Sequence, residues 1–253
     1  MFSSQAIKQD FSRAASRYDE AAQLQRRVRA CALAPARECW PEGSAILDAG
    51  CGTGALAADA KGFGWRIVGI DVASGMCAAA RRNCAVVNAD AGALPFAGAS
   101  FDGVFSSLML QWVMNPLGVF QEMARVIAPG GSCVVSTLLP GTLRELEAAF
   151  ATLDDAPHVS RFTPEAALLS AAAAAGLKAI SATEKTIVNH HPDAEALMRS
   201  IKSIGAVNKA SARRRGLMTP QRMAQLEQAY ARFGGAQGIP ATWKVLYMVM
   251  RRV

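Results

Sequence analysis

Residues 46–54 read ILDAGCGTG, an apolar run that ends in glycines at every second place, Gly50, Gly52 and Gly54. Glycine adopts positive φ without steric cost and lets a backbone approach another group closely, and it weakens the interior of a helix or strand. The stretch is therefore read as a buried strand, SAILDAG (44–50), that turns sharply and opens a helix over 54–61. In a doubly wound sheet such a turn lies at the carboxyl edge of the strands, where ligands bind.

The same alternation continues along the chain. WRIVGID (65–71), CAVVNAD (84–90), FDGVFSSL (101–108) and SCVVSTLL (132–139) read as strands, the last entered through a turn at Pro129, Gly130 and Gly131. Helical segments are expected at 74–82, 115–127 and 142–153, and SAAAAAG (170–176) reads as a helix end stopped by Gly176. Continuous apolar strands alternating with helices imply a sheet covered on both faces. KAISATEKTIVN (178–189) and TWKVLYMVMRRV (242–253) add two strands, the last as a hairpin partner inside the sheet. The expected fold is α/β, a doubly wound, seven-stranded and mostly parallel sheet, with residues 1–253 forming a single domain.

Two segments lie outside that core, which is expected over 44–189 and 242–253. Ile7, Phe11, Ala14 and Tyr18 recur at steps of four, three and four, one face of a helix, and Leu24, Val28 and Cys31 begin another such face. About fifty residues separate the last two strands, far more than a hairpin needs. The N-terminal helices (1–38) and the insertion (190–241) are expected to form a small helical cap.

Composition narrows the function classes. Of 253 residues, 51% are hydrophobic, which supports a sizeable core, yet no unbroken apolar run approaches the roughly 20 residues that span a bilayer. The start MFSSQAIKQDFSRAAS has no apolar h-region, and Asp10, Asp19 and Glu20 weigh against an organelle transit peptide, so a cytoplasmic protein with no membrane partner is expected. The six cysteines form no CxxC pair or disulfide framework, and the histidines no HExxH pattern, so no metal site is expected. The net charge of +7 favours acidic partners without choosing among them. With 7% aromatic residues and no appended binding module, the chain is a poor candidate for nucleic acid.

Three carboxylates stand at strand ends. Asp71 follows Gly50 by 21 residues, where a carboxylate can accept both hydroxyls of a ribose. Asp90 could accept from the exocyclic amine of an adenine while the backbone amide of Ala91 donates to a ring nitrogen. Asp48 stands two places before Gly50, and an acid beside the loop suits a cationic ligand better than a pyrophosphate. Taken singly, each is equally readable as a turn or cap residue. The G-x-G-x-G spacing, with Ala55 at the third place, matches the dinucleotide fingerprint weakly, so an NAD dehydrogenase stays a rival; no GK[ST] follows, which excludes a P-loop.

Taken in order, LDAGCGTG, GID, NADAGALPF, FDGVFSSLMLQW and RVIAPGGSCVVS resemble the class I S-adenosylmethionine-dependent methyltransferases over roughly residues 45–138. The resemblance implies S-adenosylmethionine as cofactor and S-adenosylhomocysteine as product. It implies Asp48, Gly50 and Gly52 near the methionine part, Asp71 and Val72 at the ribose, Asp90 and Ala91 at the adenine, and Leu108 beside the donor. Methyl transfer is an in-line displacement, in which alignment supplies much of the catalysis. A carboxylate acceptor, with a pKa of about 4, is already ionised at neutral pH and needs a clamp, not a base. The chain has no Ser-His-Asp or Cys-His set, which fits such an acceptor.

The outer segments are more specific. FSRAASRYDEAAQLQRRV (11–28), LQWVMNP (110–116), STLLPGTLRELEAAF (136–150), DDAPHVSRF (154–162), MRSIKSIGAVN (198–208) and LYMVMRR (246–252) resemble the malonyl-acyl-carrier-protein O-methyltransferases of biotin synthesis. One departure is IPATW (239–243), where that family often carries a segment such as YPLTY. The resemblance implies methylation of the free carboxylate of a malonyl thioester on acidic acyl carrier protein or on coenzyme A, so that fatty-acid synthesis can extend the masked chain toward pimelate. It places the Tyr18 hydroxyl over donor and acceptor. Arg199 and Lys202, at i and i+3 on one helix face, would hold the malonyl carboxylate or a phosphopantetheine phosphate, with Leu197, Ile201 and Ile204 on the other face. His158 and Arg161 are further candidates, and Trp112 would pack the donor pocket or touch substrate. Arg213, Arg214 and Arg215 are either solvated surface or a dock for an acidic carrier protein. The alternatives are another small carboxylate or a quinone precursor as acceptor, or an S-adenosylmethionine-binding assembly factor or hydroxylase that transfers no methyl group.

Overall fold

In the computed structural model, which describes residues 4–203 and 218–253, the strand read from ILDAG is β1 (Ala45–Ala49). Both of its faces are covered. Ile46 packs with Val28, Ala32 and Phe105 on one side of the sheet, and Leu47 with Ile70, Val104 and Phe120 on the other. Successive strand side chains point to opposite faces, so an unbroken apolar run is what a strand buried on both sides requires.

The chain enters through α1 (Ser4–Ala14), α2 (Tyr18–Ala21) and α3 (Gln23–Cys39). After β1 come α4 (Ala55–Asp59), β2 (Arg66–Asp71), α5 (Ser74–Ala80), β3 (Ala85–Asn88) and β4 (Phe101–Ser107). Next are α6 (Pro116–Val126), β5 (Ile127–Leu138), α7 (Arg144–Phe150) and α8 (Glu165–Ala174). Last come β6 (Leu177–His191), α9 (Ala194–Ser203), α10 (Pro220–Ala231) and β7 (Ile239–Arg252). The seven strands lie in the order β3-β2-β1-β4-β5-β7-β6. The first five run parallel, and β7 is antiparallel to both of its neighbours, β5 and β6. The sheet is thus the expected seven-stranded, mostly parallel one, with the last strand inside it. Among the described residues no helix is long and apolar enough to cross a membrane.

The structure corrects three sequence expectations. The helical face through Phe11, Ala14 and Tyr18 is not continuous, because the chain breaks at residues 15–17 and again at Ala22. The break lets α2 reach the glycine loop, where Asp19 Oδ1 accepts from Thr53 Oγ1 at 2.7 Å. The Pro129-Gly130-Gly131 turn lies inside β5: Phe101 pairs with Ile127, and the register then jumps to Gly103 with Ser132. Gly130, at φ 76°, supplies the bend that this bulge needs. Finally, β3 stops at Asn88, so Asp90 stands in the following loop rather than at a strand end.

Gly103 has a packing reason of its own. A Cβ there would collide with the indole of Trp40, whose Nε1 donates to Ser132 Oγ at 3.0 Å and fixes α3 against β4 and β5.

Candidate functional site

The glycine loop follows directly from β1. The amides of Gly50 and Cys51 both donate to Ile70 O at 2.9 Å, which straps the loop to the end of β2. Gly50 sits at φ 78°, and a Cβ on it would lie 2.5 Å from Met109 Cγ, so no other residue fits. A cavity of about 520 Å³ opens at this carboxyl edge, within the usual range for small-molecule sites.

Asp71 sits on its wall at the end of β2. Its Oδ2 accepts from Gly52 N at 3.0 Å and its Oδ1 from Ala73 N at 2.8 Å. Burial pushes its pKa up, and the amides of Ala73, Gly52 and Val72 oppose that shift. Each oxygen keeps a second acceptor site, so the held carboxylate can still receive two hydroxyls. Asp90 lines the same cavity, its Oδ1 accepting from Gly92 N at 2.9 Å, with the buried Ala91 beside it.

Opposite stands Leu108, at φ 53°. A left-handed non-glycine residue costs of order 1–2 kcal/mol and is held only by its surroundings. Here its amide donates to Ser136 O at 2.8 Å, and its carbonyl accepts from Gln111 Nε2 at 2.7 Å. Gln111 is itself held by Thr137 Oγ1 at 3.2 Å.

The N-terminal helices close the wall. Phe11 meets Trp112 edge-on at 5.5 Å and Tyr18 at 6.5 Å, and all three line the cavity. Burial first, then the neighbouring Asp71 charge, raises the Tyr18 pKa, so the phenol keeps its proton at neutral pH. Gln25 beside it acts weakly in the opposite direction.

The cavity thus offers carboxylates to hydroxyls and an amine, backbone amides to ring nitrogens, and one neutral hydroxyl. That donor set fits an adenosine-bearing ligand such as S-adenosylmethionine.

Known proteins resemble the chain in sequence and in fold. The family described as Methyltransferase domain matches residues 47–135. Malonyl-[acyl-carrier protein] O-methyltransferase of Hahella chejuensis is 36% identical over 254 residues, covering 98% of this chain and 90% of that one. The chain belongs to the malonyl-[acyl-carrier protein] O-methyltransferase family. Another relative, the biotin biosynthesis bifunctional protein BioHC of Cellvibrio japonicus, is 37% identical over 250 residues, 96% of this chain; the chain spans about half (49%) of that protein's length. Among solved structures, geranyl diphosphate C-methyltransferase from Streptomyces coelicolor A3(2), in complex with Mg2+, geranyl diphosphate and S-adenosyl-L-homocysteine, superposes with a TM-score of 0.55. That pair is 16% identical, over 93% of this chain and 84% of that one, and shows the fold alone.

In this member of the methyltransferase family, Tyr18, Gly50, Gly52, Asp71, Val72, Asp90, Ala91 and Leu108 all border one cavity. Three other expected site residues do not. Asp48 is buried in β1 and is absent from the cavity wall. Burial pushes its pKa up to about 7, opposed in part by the Arg29 cation, which itself bonds Asp59 Oδ2 at 2.6 Å. Arg199 and Lys202 share the outer face of α9, as their spacing requires, while Leu197 is buried and Ile201 packs against the core. That outer face does not reach the cavity. Arg199 is exposed and pairs with Glu195 Oε1 at 2.7 Å, and Lys202 is exposed as well. His158 is taken up in packing: it stacks on Phe150 at 3.8 Å and meets Asp154 Oδ1 at 2.8 Å. Arg161 is exposed and outside the cavity. Ile204, Lys209 and Arg213 to Arg215 lie outside the described residues.

Met109, Gln111 and Thr53 lie within the segments LDAGCGTG and FDGVFSSLMLQW but were not singled out as contributors. Each acts through a tertiary partner, Gly50, Leu108 and Asp19 respectively.

Proposed function

We propose that the chain methylates the free carboxylate of a malonyl thioester carried on acyl carrier protein, giving the methyl ester that opens pimeloyl synthesis for biotin. Family membership supports the acceptor class. The single observation that carries the site assignment is the meeting of the glycine loop, Asp71, Asp90 and Tyr18 around one cavity.

S-adenosylmethionine supplies a methyl group on a positively charged sulfur. The chain's residues bind and align. Asp71 accepts the ribose hydroxyls, Asp90 accepts the adenine amine, and the Ala91 amide donates to the ring. Gly50 and Gly52 admit the methionine part against bare backbone, with Leu108 on the far side. Tyr18, kept protonated, donates its hydroxyl to an acceptor oxygen and turns the other toward the methyl group. No base is needed, since the acceptor is ionised at neutral pH, and catalysis rests on alignment and excluded water. Arg199 and Lys202 are assigned to the anionic end of the acceptor's carrier arm rather than to the reacting carboxylate. Of the N-terminal segment and the insertion before β7, the described residues 4–38, 190–203 and 218–241 are assigned to the cap through which the acceptor enters.

The test is transfer of labelled methyl from S-adenosylmethionine to malonyl-acyl carrier protein and malonyl-coenzyme A, beside calorimetric binding of S-adenosylhomocysteine. A base-labile methyl ester is expected. Tight S-adenosylhomocysteine binding with no ester on either thioester would sink the acceptor assignment and favour a binding role without turnover.

A further inference from the structure

A second cavity, of about 410 Å³, is bordered by Ala21, Gln25, His190, Ala196, Arg199 and Trp243, among others. Two of these residues hold buried polar atoms that have no hydrogen-bond partner among the described residues: Trp243 Nε1 and Gln25 Oε1. Trp243 is only 7% exposed. An indole N–H can only donate and an amide oxygen can only accept. Folded proteins rarely leave such atoms unpaired, and each calls for a partner.

The position of this cavity matters as much as its chemistry. Gln25 lies beside Tyr18, which is on the wall of the donor cavity, and acts to lower the Tyr18 pKa. Ala21 is one helical turn from Tyr18 on α2. The two cavities therefore border the same short helix, α2. A ligand that satisfies both orphan atoms presents a carbonyl to Trp243 and an N–H to Gln25, which is what secondary amides carry. Arg199 adds a cation at the border.

We propose that this cavity holds the amide-bearing pantetheine arm of the thioester acceptor. Trp243 Nε1–H donates to an amide carbonyl of the arm, Gln25 Oε1 accepts from an amide N–H, and the acyl end lies at Tyr18. The assignment rests on the thioester reading above and deepens it: Trp243 and Gln25 select pantetheine thioesters over free small carboxylates.

The experiment compares two acceptors, malonyl-pantetheine and the malonyl thioester of ethanethiol, which has no amide. Trp243→Phe keeps an aromatic ring and removes the N–H. It should raise KM for malonyl-pantetheine roughly 3–10-fold, the scale of one hydrogen bond. Both kcat and S-adenosylhomocysteine affinity should hold, and the ethanethiol thioester should be unaffected. Ala196→Leu, on helix α9, adds bulk at the cavity wall while leaving both orphan atoms in place and should raise the same KM; it decides the matter if Trp243→Phe does not fold. Equal effects on both acceptors, or no effect in either variant, would overturn the arm assignment and leave a solvent-filled cavity. If the wild-type protein methylates no malonyl thioester, the acceptor reading itself falls and takes the arm assignment with it.

Discussion

Asp48 shows what burial does to a single side chain. Its ordinary pKa of 3.8 is pushed up to about 7, so the folded protein holds this proton more tightly than the unfolded chain does. Its contribution to stability is therefore full below about pH 3.8 and is lost as pH rises through about 7. The difference is on the order of 4 kcal/mol. Asp48→Asn should flatten this fall and be more stable than wild type at pH 8, measured by urea unfolding across that range. An unchanged pH slope would place the titration elsewhere. Asp71 and Asp90 were marked by their order behind the glycine loop rather than singly, since each alone reads equally as a turn or cap residue, and both border the cavity, Asp90 from the loop after β3. Arg199 and Lys202 were legible only in part. Helical period tells which residues share a face, but not what that face meets, which depends on where Leu197 anchors α9.

Elements are joined by a few buried polar contacts. Glu145, on α7, accepts from Thr242 N at 3.1 Å and Thr242 Oγ1 at 2.5 Å on β7. Burial acts to raise its pKa, but the bonds from Thr242 hold the carboxyl below its ordinary value. Glu145→Ala leaves two buried donors short of a partner and should lower stability by about 1–3 kcal/mol, read from the denaturant midpoint. Glu145→Gln should restore part of that loss. The strands were largely legible from their apolar runs, and β7 was expected inside the sheet as a hairpin partner. The breaks at residues 15–17 and the bulge in β5 were not. Both follow from tertiary demands: Asp19 must reach Thr53, and β5 must regain its pairing with β4.

For the whole molecule, the N-terminal segment is bound into the donor site. Besides the bond from Thr53 to Asp19, Ser12 Oγ accepts from Gly75 N at 3.3 Å on α5, and Phe11 and Tyr18 wall the cavity. S-adenosylhomocysteine should therefore slow amide hydrogen exchange both in residues 50–54 and in α1 and α2, far along the chain. Protection of the loop alone would show that the N-terminal helices are not part of the site. Strand order was legible only in part: the last strand was expected inside the sheet as a hairpin partner, but local sequence does not order the remaining strands.

That order has a consequence for biosynthesis. β5 and β6 pair only through β7, the last of the described strands to be made. Until residues 239–252 leave the ribosome, the buried strand β5 has one unpaired edge and β6 lacks the strand it pairs with. Such edges recruit other chains. A nascent chain stalled before Ile239 is thus a substrate for chaperones or for aggregation, however complete its donor site already is.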